Sequence, residues 1–142
     1  MDNEAPKPKY IVAMSFSRKS ELALEFALTH SPPQGAVIYI FHVFEDATKN
    51  FRRLDKLNAE TMERMRQIMV GTIDRLAGRG ITANVEDVER RFANGKVGIE
   101  LFKMAEGVQP DLLIMGAPSS NAFKKLLTHA PCTLVLVKDK ET

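Results

Sequence analysis

The chain has 142 residues and a mass of 15.9 kDa, which suits one domain with a single core. Apolar residues make up 44% and charged residues 27%, a globular balance that excludes wholesale disorder, and no apolar run approaches the roughly 20 residues that span a bilayer. A net charge of +2 with acidic and basic residues interleaved is too slight for a nucleic-acid surface, and Cys132 as the only cysteine excludes an intrachain disulfide and a cysteine-clustered metal site.

Residues 1–9 carry Pro6 and Pro8, which forbid helix, and they lack the apolar stretch of a secretory signal. They read as a short flexible leader before one domain over residues 10–142, and a reducing cytoplasm is the expected compartment. Residues 10–14 form an apolar run that suits a strand buried on both faces. Ser17 or Ser20 then caps a helix with Leu22, Ala23, Phe26 and Ala27 on its inner face, stopped by Ser31-Pro32-Pro33-Gln34-Gly35. Residues 36–44 are rich in β-branched and aromatic side chains and read as the second strand.

Apolar residues at helical spacing predict a long helix over 50–77, closed by Gly78-Arg79-Gly80. Residues 81–90 alternate, with Ile81, Ala83, Val85 and Val88 apolar, as in an edge strand with one wet face. Asn94-Gly95 turns the chain into a helix over 96–108, broken by Gln109-Pro110. Residues 111–116 form a further apolar strand ending in glycine, and residues 117–121 a loop. Residues 122–129 form a short helix, and residues 133–137 the last strand. Strands alternating with helices imply right-handed parallel crossovers and a sheet covered on both faces. In such sheets ligands bind past the carboxyl ends of the strands, where strand order reverses.

Four segments resemble the universal stress protein family in order and spacing. They are Ile11-Val12-Ala13-Met14 with Ser17, Ser20 and Ala23-Leu24; Phe41-His42-Val43; Gly95 and Gly98-Ile99 with Ala105, leading into Asp111 to Gly116; and His129-Ala130-Pro131-Cys132, leading into Leu134-Val135-Leu136-Val137. The resemblance implies an α/β three-layer sandwich of the Rossmann-like, adenine nucleotide alpha hydrolase-like kind. Its open five-stranded parallel sheet would run in the order 3-2-1-4-5. It also implies a homodimer through the last strand, Thr133, Leu134, Val135, Leu136 and Val137. A bare apolar edge strand invites such pairing on physical grounds as well. A charge at Val135 or Val137 is then expected to give monomers. The methionine-bearing face of the long helix (Met62, Met65, Met69) is the alternative dimer surface if exposed, and core packing if not.

Relatives that bind ATP carry Gly-x-x-Gly, a spacer and Gly-Ser or Gly-Thr after the fourth strand, and backbone amides of that loop cradle phosphates. Here Ser119 stands where the second glycine belongs, and Gly116 is the last glycine of the chain. Those relatives also place aspartate at the end of the first strand, where this chain has Ser15. Both departures point to a member that does not bind ATP in the usual way. The expected function is a non-enzymatic stress-response dimer with unknown regulatory protein partners and no cofactor. The second reading is a regulatory switch that takes ATP or AMP in a shortened pocket. Its residues would be Ser15, Val43, Gly116, Ser119, Ser120 and Asn121, with Asn121 capping the helix after them.

No catalytic or metal-binding constellation stands out. His30, His42 and His129 are the only histidines, and neither a Gly-x-Ser-x-Gly elbow nor a His-x-x-x-His pair is present. Cys132 reads as an inert thiol at a strand start. Glu45 and Asp46 read as a solvated turn.

Overall fold

A computed structural model describes residues 6–45, 51–118 and 123–140, with residues 51–55 as backbone only. Five strands alternate with four helices: β1 (Lys9–Ala13), α1 (Arg18–Thr29), β2 (Ala36–Phe44), α2 (Phe51–Gly78), β3 (Val85–Asn94), α3 (Val97–Val108), β4 (Leu112–Gly116), α4 (Lys124–His129) and β5 (Thr133–Val137). The strands form one sheet in the order β3-β2-β1-β4-β5, and every neighbouring pair is parallel.

Alternate side chains of the central strands serve two cores. Tyr10 and Val12 of β1, Ile38 and Ile40 of β2 and Ile114 of β4 pack with Ala23, Leu24 and Leu28 of α1 and Met65, Met69 and Leu76 of α2. Ile11, Tyr39, Phe41, Leu113 and Met115 pack on the other face with Leu101 and Ala105 of α3 and Leu126 of α4. This is why the inner strands read as unbroken apolar runs: both faces are covered. Each fully buried leucine or isoleucine contributes about 1.5–3 kcal/mol relative to exposure. Met65 and Met69 are core residues, at 0% and 6% exposure, and Met62 is half-buried, so the first two serve core packing rather than an exposed face.

Ser17 is the cap of α1, its Oγ accepting from the Ser20 backbone N–H at 3.2 Å. Ser20 is buried, and its hydroxyl donates to the Ser17 carbonyl at 2.8 Å. Ser17→Ala is expected to lower stability by about 1 kcal/mol. The measurement is a lower urea midpoint at unchanged slope, and an unchanged midpoint would remove the cap from the stability of α1. At the far end of α2, Gly80 takes φ +77°. The Gly80 N–H bonds the Ala77 carbonyl at 3.0 Å, and the Ile81 N–H bonds that of Leu76 at 2.9 Å. This is a Schellman ending that needs a left-handed residue and finds glycine.

The third strand lies four residues later than the alternation suggests. Its ladder starts where Val85 meets Ala36, and the register shifts before Val37 meets Asp87. Glu86 is therefore the extra residue of a bulge. The bulge lets Val85 and Val88, three apart, both pack on the first core. Ile81 and Ala83 touch the same core from the crossover rather than from the ladder. The last helix also differs from expectation. It begins at Lys124, with Phe123 rather than Asn121 in the cap position and no side-chain cap bond. Asn121 itself lies outside the described residues. No helix among the described residues is long and apolar enough to cross a membrane.

Candidate functional site

Strand order reverses between β1 and β4, and there the carboxyl ends of β1, β2 and β4 open into a cleft of about 260 Å³. The fold places ligand sites at such a switch point, although the volume is just below the usual range of about 300–1,000 Å³ for small-molecule pockets.

The end of β1 shapes one side. The Met14 N–H donates to the Phe41 carbonyl at 2.8 Å, and the Met14 carbonyl accepts from His42 Nδ1 at 2.7 Å. Phe16 then takes φ +62°, a left-handed conformation that a bulky residue adopts only when its surroundings enforce it. The surroundings are a cluster of rings in tilted and edge-on contact. The Phe16 ring lies 4.9 Å from His42, His42 lies 4.7 Å from Phe44, and the Arg64 guanidinium sits 4.0 Å over Phe16. With Phe16 so held, Ser15 and Ser17 meet at 2.8 Å between their hydroxyl oxygens.

The other side is the end of β4, where the first turn of α1 presses onto Gly116. A methyl group added at Gly116 would stand 2.6 Å from Lys19 Cβ, closer than any real contact, so the approach requires glycine. From there the Lys19 ammonium reaches the Ala117 carbonyl at 3.2 Å. Val43, Leu101, Met115 and Phe123 make much of the remaining lining apolar.

Of the residues proposed from sequence, Ser15, Val43 and Gly116 line this cleft together, and Ser119, Ser120 and Asn121 lie outside the described residues. Sequence reasoning missed Lys19 and Phe123, whereas His42 lies at a strand end where a ligand was expected. Lys19 looks like any lysine on a helix face, and only the contact with Gly116 reveals its place. Glu45 has a further role that the sequence did not reveal. It is the exposed turn residue expected, and in addition it accepts from the Val97 N–H at 3.1 Å through Oε1 and caps α3, whose own cap residue Lys96 supplies no side-chain bond. A carboxylate there also complements the helix dipole.

The titratable groups offer little for chemistry. Burial pushes the Cys132 thiol above its ordinary value, the opposite of an activated nucleophile. Among the described residues no group of three or more His, Cys, Asp or Glu could hold a metal ion. A second hollow on the outer surface of α1 and α2 contains Arg75 and Arg79, but both arginines are matched with Glu25, at 3.7 and 2.9 Å.

The sequence profile of the universal stress protein family matches residues 8–138. Solved structures share the fold at low identity. A universal stress protein from Lactobacillus plantarum, 17% identical, superposes with a TM-score of 0.60 over 94% of this chain and 99% of its own. A family protein from Arabidopsis thaliana with AMP bound is 16% identical, with a TM-score of 0.60 over 96% and 94%. A universal stress protein in complex with cAMP is 17% identical, with a TM-score of 0.63 over 94% and 98%. No curated protein matches the chain.

Proposed function

Because the chain belongs to the universal stress protein family, we propose that it is a non-enzymatic regulatory binding protein that works as a homodimer and does not grip ATP through the family's glycine loop. The observation that carries this reading is the length of the β4–α4 connection. β4 ends at Gly116 and α4 begins at Lys124, so residues 117–123 make the whole link, and no glycine follows Gly116. A triphosphate cradle needs several amides converging from a loop of free conformation, and this link has neither the length nor the glycines.

A non-catalytic role is supported by the lining of the cleft. Among the described residues it includes Ser15, Ser17, Ser20 and His42 but no aspartate or glutamate, so none of these residues is a carboxylate that could orient a histidine base beside a serine nucleophile. Self-association through β5 is supported by the contrast between the two sheet edges. β3 presents Glu86, Asp87, Glu89, Arg90 and Arg91 along its length, whereas β5 reads Thr-Leu-Val-Leu-Val. Charges deter strand pairing at an edge, and their absence invites it.

A second reading is favoured by one observation. The cleft persists without the glycine loop, and its apolar lining could receive a base or another ring. Two fold neighbours hold AMP and cAMP. On that reading the cleft takes a compact nucleotide with one phosphate. A thermal-shift series with millimolar Mg-ATP, AMP and cAMP tests both. A ligand at 100 times its Kd stabilises by about 2.7 kcal/mol, which moves Tm by several degrees in a domain of this size. Mg-ATP is expected to shift Tm by less than about one degree, since almost no binding gives almost no linkage. A shift of several degrees with Mg-ATP would overturn the first reading, and none with AMP or cAMP would remove the second.

A further inference from the structure

We propose that Lys19 is the anion seat of the cleft, and that the matching ligand is a small organic molecule with an apolar body and one anionic group of the phosphomonoester kind. This rests on the reading of the cleft as a compact-nucleotide site and adds the residue that would replace the missing loop.

Three observations converge. Among the described residues Lys19 is the only charged side chain in the lining, which there contains no carboxylate and no arginine. One fixed positive charge beside an apolar body selects one negative group, because a second would enter a confined space without a partner. The side chain is also positioned in advance. Its stem runs along Gly116, with Lys19 Cδ 3.5 Å from where a Gly116 methyl would stand, and its ammonium is already drawn to the β4 end by the Ala117 carbonyl at 3.2 Å, so part of the ordering cost of binding is met in advance. Finally, among the described residues its ammonium has one partner, the neutral Ala117 carbonyl at 3.2 Å. An ammonium has three donors, and a charged oxygen makes a shorter and stronger bond than a neutral carbonyl. Lys19 can therefore turn from Ala117 to an arriving phosphate, or serve both, without breaking any ion pair. The Ser15 hydroxyl lines the same cleft and supplies a second polar contact.

The experiment titrates the full chain with inorganic phosphate, adenosine and AMP separately, following backbone amide resonances in wild type, Lys19→Met and Lys19→Gln. Methionine keeps the stem on Gly116 and removes only the charge, and glutamine provides a second uncharged variant. In wild type, phosphate and AMP should both shift the Lys19 and Ala117 amides, with AMP binding more tightly than adenosine. Both variants should lose the phosphate response and bind AMP about tenfold or more weakly, as expected for a lost hydrogen bond to a charged group, while adenosine binding stays unchanged. Phosphate and AMP leaving Lys19 and Ala117 unmoved, or acting alike on wild type and variants, would overturn the seat. Adenosine binding without a phosphate response would also overturn it and leave the nucleoside reading standing. A phosphate response that needs Lys19, without adenosine binding, would support the seat and remove the nucleoside.

Discussion

Leu136→Lys is expected to convert a dimer into monomers, read as a halving of mass in light scattering with an unchanged circular dichroism spectrum. Leu136 is 44% exposed on the edge strand, so in an isolated protomer a lysine there projects into water and leaves the fold intact. In a two-fold pair every substitution occurs twice on one self-complementary patch. The variant therefore removes two apolar contacts and installs two like charges on a surface that must be desolvated. Like-charge juxtaposition costs several kcal/mol, which raises the dissociation constant by about a hundredfold or more. The position matters. Val135 and Val137 pack against the first core, so a charge at either would damage the protomer as well as the pair, and loss of the dimer would then say nothing about the edge. Val70→Lys is the control. Val70 is 46% exposed on α2, and its replacement should leave the mass unchanged. A Leu136→Lys variant that stays dimeric would remove β5 as the pairing edge.

The sequence made the fold legible wherever burial was symmetrical. Residues 36–44 appear as a strand at both expected limits, because an apolar β-branched run flanked by Pro32-Pro33 and glutamate has few other solutions. Legibility failed where tertiary contacts override local pattern. Ile81 and Ala83 satisfy the alternation of a strand but are held by the Schellman ending of α2 and the crossover after it, while the bulge at Glu86 resets the phase. The contacts of Glu45 and Lys19 escaped for another reason. Each acts on a partner far along the chain, 52 residues away for Glu45 and 98 for Lys19, and no local spacing encodes such a pair. The site was thus half visible: Ser15, Val43 and Gly116 followed from the strand ends, but the charge among them did not.

Gly116→Ala is expected to destabilise the protein by about 1–3 kcal/mol, the usual cost of forcing a group into a packed place, and Tm should fall by roughly 3–10 °C for a chain of this size. The new methyl would meet Lys19 Cβ at 2.6 Å and the Lys19 backbone carbon at 3.4 Å. Neither can swing aside like the end of a side chain. Relief requires the first turn of α1 to lift from β4, but Ala23 and Leu24, one turn further on, are wholly buried and resist it. Lifting would also stretch the bond from Lys19 to Ala117 and disturb the Ser17 cap. Gly71→Ala should move the other way. Nothing stands within 4 Å of its added methyl, it lies inside α2, and alanine there favours helix by about 0.5–1 kcal/mol. The two substitutions are chemically identical, so opposite signs isolate the contact with Lys19. Lys19→Gly sharpens the test by removing the opposing Cβ. Alone it should cost about 1 kcal/mol of helix propensity. Combined with Gly116→Ala, the loss should fall short of the sum, since contacting sites couple by about 0.5–3 kcal/mol. Strict additivity in denaturant melts would mean that α1 and β4 do not bear on each other at this point, and the cleft would lose the wall on which Lys19 is held.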